Sequence, residues 1–201
     1  AARVVAVFLG GHYIGEDRKL WQKEFWFLDR YKKLSPHNYF SMDRKFALKE
    51  FAKSVSHLPG AVVECGCYVG VSAWFIANEI RGGDFFLFDS FEGLSSPTRE
   101  DVGPVGTQQW QEGDLATSES ILRENMKEFR NIHILKGWIP ARFHEVSTLK
   151  FKLVHIDVDL YAPTRDSLAF FYERLVDGGI IILDDYGFEN CPGAYQAANE
   201  F

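Results

Sequence analysis

The rhythm of apolar and polar residues changes near residue 61. Beyond it, short continuous apolar runs alternate with amphipathic stretches. Residues 61–64, stopping at Gly66, and 85–88, ending at Asp89, predict strands buried on both faces. Residues 132–135, 151–156 and 180–183 predict three more. Between them, residues 71–80 and 118–129 predict helices, the second with Leu122, Met126 and Phe129 on one face. Residues 140–146 predict a short helix. Pro163 opens a further helix, with Leu168, Phe171, Tyr172 and Leu175 as its apolar face and Gly178-Gly179 as its stop. Residues 194–201 read as helix as well. Strands alternating with helices imply βαβ units and a mostly parallel, Rossmann-like, doubly wound α/β sheet.

Upstream of residue 61 the pattern is looser. Residues 4–9 fit a short strand or part of a helix. Trp21, Phe25, Trp26 and Leu28 stand at helical spacing and predict an amphipathic helix, packed on the core or closing over a site as a lid. Asp43 has the position of an N-cap, followed by Leu48, Phe51, Ala52 and Val55 on one face and by Pro59-Gly60 as the stop. Residues 1–40 are therefore set apart as an N-terminal extension, a candidate lid or homodimer element, and 41–201 as the domain proper. The polar stretch 95–116, with Pro97, Gly103, Pro104 and Gly106, predicts a long loop, and loops of that length are usually functional or mobile.

Charge and composition narrow the partners. The net charge of −6 argues against nucleic acid, whose phosphates call for an excess of Lys and Arg. No apolar run is long enough to span a membrane, and no signal-peptide pattern is present. Cys65 and Cys67 stand too close in an extended strand for an ordinary disulfide, and a Cys-x-Cys without a second pair is a poor zinc signal. With Cys191 they read as reduced thiols of a cytoplasmic protein.

Open parallel sheets bind ligands at the carboxyl ends of their strands, where the strand order reverses. Four of the five predicted strand ends carry carboxylates. After the first strand comes Glu64-Cys65-Gly66-Cys67-Tyr68-Val69-Gly70, a glycine-bearing turn into a helix with Ser72 in its first turn. It is not the dinucleotide fingerprint, because Cys67 and Tyr68 stand where a pyrophosphate needs the tight glycine set. A structural turn explains this motif equally well. Asp89-Ser90 ends the second strand, a position from which an acid reaches ribose hydroxyls. Gly137-Trp138 follows the third, and Trp138, like Trp110, suits either stacking on an adenine or substrate ring or a place in the core. Together these features suggest an adenosine ligand without a diphosphate, which S-adenosylmethionine satisfies. Asp157 and Asp159 lie two apart after the fourth strand, and Asp184-Asp185 ends the fifth. Were those strands neighbours, three or four carboxylates would converge. Bare carboxylates that close repel, and a hard divalent cation such as Mg²⁺ or Mn²⁺ resolves the conflict. His155, inside the fourth strand, reads as a hydrogen-bonded core residue.

Val63-Glu64-Cys65-Gly66, the run from Phe88-Asp89-Ser90 to Leu94, the run from His155-Ile156-Asp157 to Tyr161, Asp184-Asp185-Tyr186-Gly187 and Cys191-Pro192-Gly193-Ala194 together resemble the macrocin O-methyltransferase family, from about residue 41 to the end. The resemblance implies a class I methyltransferase fold and S-adenosylmethionine- and Mg²⁺-dependent methylation of a hydroxyl on a small molecule, a sugar of a natural product such as an antibiotic. It implies Asp157, Asp184 and Asp185 as metal ligands and Asp159 as general base. It also implies Glu64, Gly66, Ser72, Asp89 and Ser90 as cofactor contacts, to which Tyr68, Gly70, Gly137 and Trp138 are added from their places after the strands. The family's sheet ordinarily runs on for two strands past Asp-Asp-Tyr, so the domain is expected to lack its last strands. Gly187 and Phe188 stand where a basic residue would be a second base. Three other readings compete: catechol-type methylation on the same metal, a nicotinamide-dependent oxidoreductase, and a non-catalytic cofactor-binding domain.

Overall fold

The structure is a computed structural model and describes residues 20–34, 41–80, 82–107 and 109–201. In chain order its regular elements are α1 (Phe25–Leu34), α2 (Met42–Val55), β1 (Ala61–Cys65), α3 (Val71–Glu79), β2 (Phe85–Asp89), α4 (Glu119–Met126), β3 (Ile132–Lys136), β4 (Phe151–Ile156), α5 (Tyr161–Tyr172), β5 (Leu175–Leu183) and α6 (Pro192–Glu200). Three short 3₁₀ turns, Leu20–Lys23, Arg99–Asp101 and Phe143–Val146, punctuate the connections. The five strands form one parallel sheet in the order β3-β2-β1-β4-β5. The chain winds outward from β1 through β2 to β3, returns to the centre at β4 and continues outward to β5. The reversal point is the seam between β1 and β4.

Alternation along the strands divides the core in two. Val62, Phe85, Leu87 and Leu153 face a cluster with Phe27, Phe46, Ala52 and Phe75 from α1, α2 and α3. Val63, Phe88, Val154 and Ile156 face the opposite cluster with Phe143, Leu168 and Phe171. Both faces of β1 and β4 are buried throughout, as continuous apolar runs require. Among the described residues no helix is long and apolar enough to cross a membrane.

Several local expectations are corrected. Helix α2 begins at Met42 with Ser41 at the cap position, and Asp43 sits in the first turn, where a carboxylate still favours the helix dipole. Phe51 is exposed rather than on the apolar face. In α1 the buried stripe is Phe27, Tyr31 and Leu34, while Phe25 and Trp26 face out. Helix α5 starts two residues before Pro163 and stops at Tyr172, which is exposed. Leu175 already belongs to β5, because that strand carries Gly178-Gly179 inside a bulge: Leu175 pairs with Phe151 and Ile180 with Leu153. The segment 140–146 is only a 3₁₀ turn. The stretch 4–9 lies outside the described residues.

Candidate active site

A cavity of about 490 Å³ opens at the carboxyl edge of the sheet, over the β1/β4 seam. One half of its wall comes from the ends of β1, β2 and β3. Gly66 turns the chain out of β1 with φ 80°, and a methyl there would lie 1.8 Å from the carbonyl oxygen of Asp157. Only glycine lets the β1 turn and the end of β4 approach so closely. Asp89, at the end of β2, organises that turn. Its Oδ2 accepts the Cys67 and Tyr68 backbone N–H groups at 2.7 and 2.9 Å, and its Oδ1 accepts that of Phe91 at 2.7 Å. A carboxylate oxygen has two lone pairs, so Oδ2 is filled by its two N–H donors and Oδ1 retains capacity toward the cavity. Tyr68, Ser72, Ser90, Gly137 and Trp138 line this half, with Trp138 forty per cent exposed. The Ser90 hydroxyl is engaged locally, donating to the Gly93 carbonyl and accepting from the Glu92 N–H, each at 3.0 Å.

Two of the residues expected at the cofactor stand behind the wall. Glu64 is fully buried, and its Oε1 meets Nδ1 of the equally buried His155 at 2.8 Å. Gly70 caps α3 in the left-handed conformation, and a methyl there would lie 2.5 Å from Leu122 Cδ1. Neither lines the cavity. His155 is the hydrogen-bonded core histidine its place in a strand suggested.

The other half of the wall is acidic. Asp157, Asp159, Asp184 and Asp185 all line it, because β4 and β5 are neighbours in register, Ile156 against Leu183. They divide into two groups. Asp157, Asp184 and His155 each place one ligating atom within 4.8 Å of the others, and Asp159, Asp185 and Cys191 do likewise. Asp159 has a left-handed backbone, φ 59°, which aims its N–H at Asp185 Oδ2, 2.9 Å away; Asp tolerates that conformation better than most residues. The Cys191 thiol faces Asp159 Oδ1 at 3.7 Å.

The two groups differ in charge. Burial alone would lift Asp184, but Lys45, His155 and Arg44 outweigh it and hold the carboxyl well below the usual range. Asp185 has less cationic help. Burial, then the charges of Asp157 and Asp184, push it up to about 7. Burial and the charge of Asp185 likewise raise Asp159. Burial, then the charges of Asp185 and Asp159, push the Cys191 thiol up and favour its protonated form. The cluster thus offers carboxylate oxygen donors, two of them, on Asp159 and Asp185, held toward their protonated forms by burial and by one another's charge. That is the donor chemistry of a hard divalent ion rather than of zinc.

Arg44 and Lys45 have no counterpart among the residues picked out from the sequence. Both come from the first turn of α2. The Lys45 ammonium lies 3.2 Å from Asp157 Oδ2 and 3.5 Å from each Asp184 oxygen, and Arg44 Nη1 bonds Asp184 Oδ2 while its guanidinium lies over the Phe188 ring. One signal was legible: two consecutive cations at the positive end of a helix oppose its dipole, which implies carboxylates nearby to hold them. The long loop supplies Trp110 and Leu115 to the wall.

Comparison with known proteins fits this geometry. The chain is 29% identical over 148 residues, 68% of its own length and 57% of the relative's, to the 8-demethyl-8-(2,3-dimethoxy-alpha-L-rhamnosyl)-tetracenomycin-C 4'-O-methyltransferase of Streptomyces olivaceus. It is 26% identical over 159 residues, 73% of its length and 59% of the relative's, to the demethyldecarbamoylnovobiocin O-methyltransferase of Streptomyces niveus. The match thus spans less than two thirds of either relative. Among solved structures, the O-methyltransferase NovP aligns with a TM-score of 0.60 at 26% identity, covering 79% of this chain and 70% of that one. A calicheamicin methyltransferase shares the fold, with a TM-score of 0.65 at 19% identity over 94% of this chain and 85% of that one. The family model described as Macrocin-O-methyltransferase (TylF) matches residues 35–201. With strand order, glycine turn and carboxylate pairs all in place within that span, the chain belongs to the macrocin O-methyltransferase family.

Proposed function

We propose that this protein transfers the methyl group of S-adenosylmethionine to a hydroxyl of a small molecule, a sugar of a natural product, with the help of a divalent ion, Mg²⁺ or Mn²⁺. The observation that carries this reading is the single cavity joining the Gly66–Asp89 wall to the four aspartates. The relatives named above, methyltransferases of a rhamnosyl-tetracenomycin and of a novobiocin precursor, support the acceptor class. Three free, buried cysteines support a cytoplasmic setting.

Each wall has a task in this reading. The remaining lone pair of Asp89 Oδ1 accepts a ribose hydroxyl, and Trp138 offers a ring face to the adenine. The Gly66–Tyr68 backbone gives the amino-acid tail room beside the β1/β4 seam. S-adenosylmethionine supplies the electrophilic methyl, and a divalent ion held by Asp157, Asp184 and Asp185 supplies charge neutralisation that acidifies and orients the acceptor hydroxyl. Asp159 accepts the hydroxyl proton as the new O–C bond forms and the sulfur keeps the electron pair of the bond it loses. Burial and the Asp185 charge raise Asp159, and an ion on the neighbouring carboxylates would remove the second cause, so that Asp159 ionises and can take the proton. Holding both reactants over one seam supplies the orientation.

The test is methyl transfer from S-adenosylmethionine to a panel of hydroxylated sugars and catechols, with Mg²⁺ or with a chelator. Transfer to sugars, lost on chelation, is expected. Asp159→Asn should keep cofactor affinity and lose about 10²–10⁴-fold in turnover. Cofactor binding without transfer to any acceptor would favour a non-catalytic role, and undiminished turnover in Asp159→Asn would remove the base from this position.

A further inference from the structure

The ammonium of Lys45 occupies a bridging position. It is 7% exposed and touches one oxygen of Asp157 and both of Asp184, the carboxylates from two different strands that the metal reading assigns to the ion. A divalent ion bonded to Asp157 Oδ2 at about 2.1 Å would sit within roughly 5 Å of Nζ. At such a separation in a largely buried pocket, two cations exclude one another. Arg44 is placed differently. It bonds only Asp184, its side chain is 30% exposed, and its guanidinium is stacked at the rim on Phe188.

We infer that Lys45 is an internal competitor for the divalent ion: its ammonium holds Asp157 and Asp184 together in the metal-free protein and must swing into the adjoining cavity before the ion can bind. The inference rests on the metal reading above. Three features carry it. The ammonium sets one charge between the two carboxylates, where a dication would set two. Its stem is unbranched and flexible, and it lines the cavity it would swing into. Its place in the first turn of α2 is against the helix dipole, so the carboxylates are what hold it in the site. An exchange of this kind keeps Asp157 and Asp184 from facing one another bare between turnovers.

The experiment is calorimetric titration of Mn²⁺ into the protein with S-adenosylhomocysteine present, comparing wild type with Lys45→Met and Lys45→Gln. Both variants should bind Mn²⁺ at least tenfold more tightly. Binding in the variants where wild type shows none would be the same result in a stronger form. Equal or weaker affinity in folded variants overturns the competition while leaving the metal reading intact. No binding in any of the three proteins overturns both. A second measurement uses wild type alone and does not depend on how the variants fold. Acylation of lysines, read by peptide mass spectrometry, should leave Lys45 protected without metal and modify it when saturating Mn²⁺ is added. Continued protection at saturation would show that the ammonium never leaves.

Discussion

Glu64 and His155 show how far a residue's role depends on its partner. From the sequence, Glu64 heads a glycine-bearing turn and reads as a cofactor contact, while His155 reads as a core residue. Only the second reading follows from the chain locally, since a histidine inside an apolar strand has nowhere to go but the core. The pairing of β1 with β4 sets Glu64 beside His155, a contact across ninety-one positions that no local pattern encodes. Both side chains are fully buried, and Glu64 gives the Nδ1 of His155 its hydrogen bond while Asp184 stands 3.6 Å from Nε2. Glu64→Leu should therefore cost about 3–5 kcal/mol of stability, because it leaves the buried Nδ1 without its acceptor and removes one of the two carboxylates that face the imidazole. Glu64→Gln retains an acceptor for Nδ1 and should recover much of that loss. Urea unfolding of the two variants checks this, and a Leu variant as stable as wild type would show that the dyad contributes nothing.

Among elements, the strands were the most legible, because five short apolar runs bounded by glycine or aspartate leave few alternatives. The helices were less so. In α1 a run of aromatics, Phe25-Trp26-Phe27, puts apolar residues on every face, and only packing against Phe46 and Phe75 selects Phe27 and Tyr31 for burial. At β5, Gly178-Gly179 looked like the end of a helix and is instead a bulge within the strand. The long loop was visible as a loop, but its anchorage was not. Asp101 fastens it: Oδ2 accepts from the Thr98 N–H and hydroxyl, and Oδ1 accepts the first N–H of α5, that of Tyr161, at 2.6 Å. Gly193, in the first turn of α6, makes room for that carboxylate, and a methyl there would lie 1.9 Å from Asp101 Oδ1. Alanine is ordinarily better than glycine in a helix by about 1 kcal/mol. Here Gly193→Ala should destabilise instead, by about 2–4 kcal/mol, since it evicts a buried acceptor from its donors. The same variant should expose the 95–116 loop to proteases and weaken ligand binding, as Trp110 and Leu115 line the cavity. Limited proteolysis beside a urea titration tests both halves, and a stabilised Gly193→Ala would refute the latch.

At the scale of the molecule, the parallel sheet brings to one edge what the chain scatters over more than a hundred residues. The carboxylates could be expected to converge, because each sits at a strand end and the strands of such a sheet point one way. The cations that meet them could not be placed, because α2 precedes the sheet in sequence and nothing local says which strands it covers. The resulting charge arrangement makes stability depend on pH in a definite direction. Burial opposes protonation of His155, but the Asp184 carboxylate 3.6 Å from Nε2 and the Glu64 hydrogen bond to Nδ1 prevail and lift it from 6.5 to about 9. The folded protein therefore holds a proton that the unfolded chain gives up, and this contribution is full below about pH 6.5 and lost as pH rises through about 9. Asp185, lifted from 3.8 to about 7, acts with the same sign, its contribution fading between those values. Asp184, held down by Lys45, His155 and Arg44 despite its burial, acts oppositely, and its contribution disappears only as pH falls below 3.8. Metal-free protein should accordingly be most stable at mildly acid pH and lose stability steadily toward about pH 9. A divalent ion on the aspartates lowers the folded-state pKa of Asp185 and so removes its share of that slope. Urea midpoints at about pH 5.5, 7.5 and 9 in chelator should fall in that order, while saturating Mg²⁺ should flatten the first interval more than the second, where His155 dominates. A profile that rises with pH in chelator would mean that the buried imidazole is neutral in the folded protein and that Asp184 is held by its lysine and arginine alone.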